Sequence, residues 1–341
     1  MTILYDLADP AELSFTVREL PEPAGIGLNA ILPDRLVTSV KAVWNEVTRT
    51  NRAAMFRSWD AESPIGERDS ASRKEAPMYP ISQKTVIGEL ESILSSALAM
   101  SGNPGPLIDA EINNDLRLNA NAVRIRAEIA RGDVLTDGVL TVDENGFKAS
   151  WDYGVPDANT ATAAATWATT STDVTVDFAA WMTIWRAAGG DERPIMTLSM
   201  TGYGYLLQNE KFRALAASGG VTPPRLTLDQ VNDITLAHGW PEIRIYDSSF
   251  NVAGSTARVL HQDIALITPR NPLDLGFTAW GITAEALELA QAQRLSFEDA
   301  PGLVAVVMKT EDPVATWTKV GGTVLPVLTN PSRLMALDIT T

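Results

Sequence analysis

Only two histidines occur in the chain, His238 and His261, and there is no cysteine. Disulfides, thiolate metal sites, iron–sulfur clusters and cysteine nucleophiles are thereby excluded. Two imidazoles so far apart in sequence make a zinc site only if carboxylates complete it. His238 falls at the end of an expected helix, where a cationic cap accounts for it, and His261 borders a loop. Gly202-Tyr203-Gly204 lacks the third glycine and the partner carboxylate of a dinucleotide fingerprint, and reads as a strand-to-helix corner. Asp143-Glu144-Asn145-Gly146 lacks the EF-hand spacing to a terminal glutamate and reads as a hairpin tip. No nucleophile elbow, phosphate-binding loop or HExxH helix is present. Of Asp109, Glu111 and Asp115, only the last two share a helix face, and no base accompanies them, so a solvated acidic face explains them. The expectation is no catalytic, cofactor-binding or metal residue. A carboxylate pair of the glycosidase kind could still hide among 42 acids.

Those 42 acids face 27 lysines and arginines, giving a formal net charge of −15 over 341 residues. Such an excess repels phosphate backbones and keeps a concentrated protein soluble. The N-terminus carries Asp6, Asp9 and Glu12 and no basic residue before Arg18, unlike a secretory signal, and no run of 18 apolar residues suggests a membrane span. A soluble protein, intracellular when made, is expected. Nine tryptophans, among them Trp44, Trp59, Trp151, Trp181 and Trp280, suit buried contacts within or between subunits.

The elements that would position these residues read as α+β. Pro10, Pro21, Pro23 and Pro33 punctuate residues 1–48, which predicts an extended arm without long regular elements, apolar enough to lie against something. Residues 49–91 read as a two-stranded excursion, outward over Ala53 to Trp59 and back over Tyr79 to Leu90, with a mixed-charge tip. Such a ribbon has no core of its own. It either lies across a neighbouring molecule, with alternating charge setting register, or is a solvated loop. Arg57, Trp59, Arg68, Arg73, Lys74 and Tyr79 are the candidates for contact between subunits.

Apolar residues at helical spacing predict a long helix over 106–131, started by Pro106 and closed by Gly132, with Arg124, Arg126 and Arg131 favourable to its C-terminal dipole. At 1.5 Å per residue it spans about 40 Å and suits a spine. Asn145-Gly146 predicts a hairpin between Val139–Thr141 and Phe147–Trp151. Beyond a small-residue boundary at 155–173, helices are expected over Phe178–Ala188, Tyr205–Ala217, from Thr227 with Gln230 as a capping box, and over Thr283–Leu295. Strands are expected over Pro194–Met200, Glu242–Tyr246, Asp263–Thr268, Leu303–Lys309 and Val320–Ile339. No internal repeat stands out.

The segments ILYDLADPAELSFTVRELP, RAAMFRSWDAESPIGERDSASRKEAPMYPISQK, LIDAEINNDLRLNANAVRIRAEIARG, DGVLTVDENGFKASWDYGVP and WTKVGGTVLPVLTNPSRLMALDI resemble, in content and order, the lambda-type major capsid proteins of tailed phages, the capsid protein E family. The resemblance covers essentially the whole chain, and SWDAES…ER…APMYP and VLPVLTNPSRLMALDI carry most of its specificity. It implies the tailed-phage major capsid fold. In that fold residues 1–48 would be the N-terminal arm, 49–91 the extended loop and 92–154 the peripheral domain with spine helix 106–131. Residues 155–300 would be mainly the axial domain and 301–341 the closing strands of the peripheral domain. It also implies pentamers and hexamers closing into an icosahedral prohead that expands and holds double-stranded DNA, with which the chain has only non-specific proximity. The partners implied are further copies of the chain, a portal protein, a separate scaffolding protein and a decoration protein, in the virion and, during assembly, the host cytoplasm. No maturation protease target is evident. Reversing charge at Arg68 and Arg73 together should damage assembly and spare folding.

Three other functions fit less well. A tail-tube or decoration protein would lack arm, loop and spine in that order. A carbohydrate-active enzyme would need two carboxylates about 5–9 Å apart in a cleft. An encapsulating nanocompartment shell would differ in its cargo.

Overall fold

In the computed structural model the described residues are 2–3, 9–48, 56–60, 62, 70–90, 93, 106–190, 192–217, 221–252 and 254–340. Asp9-Pro10 opens the first helix, α1 (Pro10–Glu19). The Asp9 carboxylate accepts from the Ala11 amide at 3.0 Å, and proline takes the first-turn position where its missing N–H costs nothing. Leu13, Ser14 and Val17 are buried, and the Ser14 hydroxyl accepts from the Ala305 amide at 3.1 Å. The expected extended arm is therefore helical at its start, because a proline read as punctuation is a helix start when an acid precedes it.

The larger sheet is built on β15 (Val314–Leu328), buried without interruption from Val320 to Leu328, as a strand covered on both faces requires. Its order is β1 (Thr2–Ile3), β14 (Val304–Glu311), β15, β13 (Gly276–Gly281) and β2 (Asp34–Leu36), with β5 (Tyr79–Ile87) also pairing β15. Only β2 runs parallel to its neighbour, as a three-residue edge. The expected return strand over 79–90 is thus a member of this sheet, registered from Tyr79↔Val324 to Ile87↔Thr316. The true ribbon is β3 (Lys41–Thr48) with β4 (Ser70–Pro77), in register from Lys41↔Pro77 to Thr48↔Ser70. The outward strand expected over 53–59 is not found where it is described: Phe56–Ser58 has no regular structure and Trp59-Asp60 is a turn, while 53–55 lies outside the described residues.

Across the larger sheet lies α2 (Pro106–Asp137), 32 residues and about 48 Å long. Ile112, Leu116, Ala120, Val123, Ala127, Ala130 and Val134 are buried at spacings of three or four, on the side of the helix that meets β5, β15 and α1. The helix runs through Gly132, the expected stop, and ends at Gly138, whose φ of +78° suits only glycine without strain. Gly132 serves close approach instead: a Cβ there would lie 2.3 Å from the Val259 carbonyl oxygen. Then β6 (Val139–Glu144) and β7 (Phe147–Asp152) form the expected hairpin, with positive φ at Asn145 and Gly146.

A second sheet has the order β16 (Met335–Asp338), β12 (Ile264–Thr268), β8 (Ile195–Leu198) and β9 (Glu242–Ile245). It is accompanied by α3 (Val174–Ala187), α4 (Met200–Gln208), α5 (Glu210–Leu215) and α6 (Leu228–Ala237). The one helix expected over 205–217 is two, because Asn209 ends α4 and caps α5 with its own side chain, 2.9 Å from the Phe212 amide. The capping box of Thr227 and Gln230 is formed as expected. A short hairpin, β10 (Ser249–Val252) with β11 (Ser255–Arg258), follows β9, and α7 (Ala284–Gln291) follows β13.

Two expected boundaries move. The closing strand over 320–339 ends as a ladder at Leu328, the chain turns through Pro331–Arg333, and β16 crosses into the second sheet. Conversely β13, from the 155–300 stretch, lies in the larger sheet between β15 and β2.

Candidate assembly surface

Two sets of polar residues matter, one that fixes the subunit and one that it turns outward. Glu128 and Arg131 sit one turn apart on α2 and are almost fully buried. The Glu128 carboxylate accepts from the Gly27 amide (2.7 Å), the Leu28 amide (2.7 Å), the Tyr246 hydroxyl (2.8 Å) and Arg131 Nη1 (2.9 Å). Arg131 also donates from Nε to Thr278 Oγ1 at 2.9 Å and pairs with Asp34. Burial and the adjoining Glu128 charge raise the Tyr246 phenol pKa, so it remains a donor. Arg124 donates to the carbonyls of Val17, Arg18, Leu20 and Pro21 at 2.7–3.2 Å, capping α1 from the side. Together these bonds fasten residues 17–34 to α2, β13 and the chain after β9. A buried charge so fully bonded is tolerated, whereas either partner alone would be costly.

Among the described residues the ribbon β3–β4 pairs with no other strand. Its inner face buries Ala42, Trp44 and Ala76 against Trp151 and Tyr153, whose rings lie 6.0 and 6.1 Å from Trp44. Lys41 and Glu75 pair at 3.0 Å on the outer face, and the Lys41 bond holds the Glu75 carboxyl below its ordinary range. Lys74 pairs with Glu46 on the same ribbon. Arg73 stands opposite Asn45 and lines an open cleft of about 420 Å³ with Arg35. Beyond the ribbon Phe56 and Trp59 are fully exposed, at 107% and 96%, beside Arg57, whose Nη1 donates to the Ser58 carbonyl at 3.4 Å. Arg68 lies outside the described residues. Tyr79 is half-buried at the start of β5, its ring 5.5 Å from Phe147, and burial raises its phenol pKa.

The structure thus joins Arg73 and Lys74 on one strand, sets Arg57 and Trp59 together beyond it, and turns Tyr79 to the β6–β7 hairpin. Glu128, Asp34, Arg35 and Tyr246 were missed as polar positions of consequence. Their signal was faint: a Glu and an Arg at i,i+3 within an otherwise apolar stripe. Trp44, Trp167, Trp181, Trp185, Trp240 and Trp280 are core, whereas Trp59, like Phe56 in the same excursion, is turned outward. His238 caps α6 and stacks on Trp240 at 4.7 Å, and His261 lies 3.7 Å from Asp263. Asp115 is half-buried on α2, while the Asp109 and Glu111 side chains lie outside those described. Among the described residues no group of His, Asp and Glu could hold a metal ion, and no helix is long and apolar enough to cross a membrane.

This arrangement of a long helix over one sheet, a second sheet with its own helices and a protruding ribbon is the fold of phage capsid subunits. A putative capsid protein of an Escherichia coli CFT073 prophage is similar over 98% of this chain and 99% of its own, with a TM-score of 0.62 at 14% identity. A phage-related protein of Bordetella bronchiseptica RB50 is similar over 96% of each chain (TM-score 0.55, 13% identity), and the mature capsid of bacteriophage PhiM1 over 94% of this chain and 89% of that one (0.50, 10%). No curated protein matches the sequence. The model of phage major capsid protein E matches residues 9–339, and the chain belongs to that family. It is a major capsid protein, a subunit that self-assembles into an icosahedral shell, and its role is structural rather than enzymatic.

Proposed function

We propose that copies of the chain join as pentamers and hexamers through the β3–β4 ribbon and the segment beyond it, with Arg57, Trp59, Arg68, Arg73, Lys74 and Tyr79 in or beside the contacts. The observation that carries this is a ribbon with no third strand among the described residues, followed by Phe56 and Trp59 standing wholly in solvent. Large apolar rings at that exposure favour a contact that buries them. In this reading the four-stranded sheet and its helices form the axial domain at the ring centre. The six-stranded sheet and α2, as the spine, form the peripheral domain, and the first 48 residues are the arm. The shell encloses double-stranded DNA without gripping it, as a net charge of −15 favours. A portal protein, a separate scaffolding protein and a decoration protein complete the partners, and assembly takes place in the host cytoplasm before the chain resides in the virion.

Negative-stain electron microscopy of the concentrated protein, alone and with extract of infected or lysogenic cells, tests this. Rings of five and six subunits or closed shells are expected, in extract alone if a scaffold is required. The double variant Phe56→Ala/Trp59→Ala should remain folded and fail to assemble. Normal shells from that variant would refute the role given to the ribbon and its tip.

A further inference from the structure

Arginines in this fold differ in whether their guanidinium is already engaged. Arg124 is bonded to four carbonyls, Arg131 to two carboxylates and a hydroxyl, and Arg193 to the Trp240 carbonyl and the Thr235 hydroxyl, both at 2.8 Å. Arg35 and Arg73 are not so engaged. Arg35 stands on the edge strand β2, opposite Ala279, with its guanidinium 4.9 Å from the centroid of the Phe277 ring. Arg73 stands on the outer face of β4. Both are exposed, and among the described residues neither pairs with a carboxylate. The acid that Arg73 influences, Glu75, is itself held by Lys41. The two side chains line one open cleft of about 420 Å³, with Asn45 and Thr329 as further polar lining and no acid in its wall.

We propose that this cleft receives a carboxylate from an acidic segment of a second copy of this chain. The inference rests on the reading of the ribbon as a contact between copies, and it names the chemistry of that contact. Copies carrying a net charge of −15 repel one another, so they meet best where positive charge is unspent. With 42 acids in the chain, carboxylates are what an approaching copy presents. A guanidinium offers a planar fork of donors that a carboxylate fills with two parallel bonds, and the Phe277 ring holds the Arg35 fork in place. Asn45 and Thr329 can serve the remaining acceptor positions. The middle of the ribbon, at Val43, Asn45 and Arg73, lines the cleft, so a neighbour lying along β3–β4 would reach it. A phosphate would fit the same fork, but a polyanion would meet repulsion over the rest of this acidic surface.

The test uses shells formed from equal mixtures of ¹⁴N- and ¹⁵N-labelled subunits carrying Arg35→Lys or Arg73→Lys. These variants keep the charge and supply an amine that a zero-length carbodiimide couples to a touching carboxylate. Linked peptides of mixed isotope, joining that amine to an aspartate or glutamate of the other copy, are expected. In parallel, Arg35→Glu/Arg73→Glu should lower shell yield about tenfold or more, while the urea midpoint of the free subunit stays unchanged. Shells whose links are absent or confined to one isotope would overturn the inference and leave the ribbon reading intact. Links abolished by a short DNA duplex, with unchanged yield from the double glutamate variant, would assign the cleft to phosphate instead. If Phe56→Ala/Trp59→Ala shells also form normally, the ribbon reading falls and the inference with it.

Discussion

The unit around the four-stranded sheet and the β3–β4 ribbon treat their aromatic residues in opposite ways. In the first, Phe178 has ring neighbours in Trp167 (5.5 Å), Trp181 (6.2 Å), Phe212 (6.1 Å) and Trp240 (5.0 Å). Its inner strands β12 and β8 lie between neighbours, and its helices cover the apolar sides of the sheet. In the second, one face of a two-stranded ribbon leans on the body through Trp44, while Phe56 and Trp59 beyond it touch water. A region that closes its own core gives stability to the subunit. A region that leaves rings in solvent is built for something the isolated subunit lacks.

The comparison is tested most severely in the cores. Phe178→Ala should lower the stability of the unassembled subunit by about 3–5 kcal/mol in urea unfolding, because four ring neighbours lose their centre. Glu128→Ala should cost a similar amount, about 3–5 kcal/mol, by leaving Arg131 buried beside an absent partner and stripping the amides of Gly27 and Leu28 of their acceptor. Near-neutral values for either would mean that these regions do not carry the fold. Gly132→Ala should cost about 1–3 kcal/mol, since the gain in helix propensity is outweighed by a methyl driven into the Val259 carbonyl.

A smaller effect separates a paired carboxylate against the larger sheet from one on the ribbon. Burial opposes ionisation of Glu285, but bonds from Lys319, its own backbone amide and Thr283, with the Lys319 charge, outweigh it and hold the carboxyl below its ordinary range. The folded state therefore binds fewer protons there than the unfolded chain. The resulting stability is present above the ordinary glutamate pKa of about 4.3 and is lost as pH falls below it through the folded value. Lys319→Met should flatten the acid-side decline of the urea midpoint, whereas Lys41→Met on the ribbon should flatten it less, because water screens Lys41 and Glu75, both largely exposed. The smallest effect on the subunit is Trp59→Ala, within about 0.5 kcal/mol of the parent in the same titration. Its assembly by electron microscopy should nonetheless be impaired. A large loss of subunit stability would show instead that Trp59 packs within its own chain.

Local signals carried the sequence reading a long way. The capping box at Thr227 and Gln230, the Asn145-Gly146 turn and the apolar spacing of α2 each act within about one turn of chain, so each could be read in place. The ribbon was expected in roughly the right stretch, but its strands were displaced. Tyr79–Ile87 has good strand composition, and nothing local distinguishes pairing with β4 from pairing with β15, which lies more than 200 residues on. The basic contact candidates rest on charge, and charge alone does not separate Lys74, paired with Glu46, from Arg73, which faces a cleft.

The sequence by itself determined the class of elements, the absence of thiol chemistry, the acidic surface and, through its ordered segments, the family. Tertiary structure decided what each exception to the local pattern was for. Gly132 is small because Val259 approaches it, Glu128 is charged because two amides, a phenol and a guanidinium converge on it, and β16 leaves the larger sheet because, beyond the Pro331–Arg333 turn, its ladder partner is β12. The physical reason is common to all three. Secondary structure follows from interactions within a turn or two of chain, whereas burial and partner satisfaction are set by residues that only the folded chain brings together.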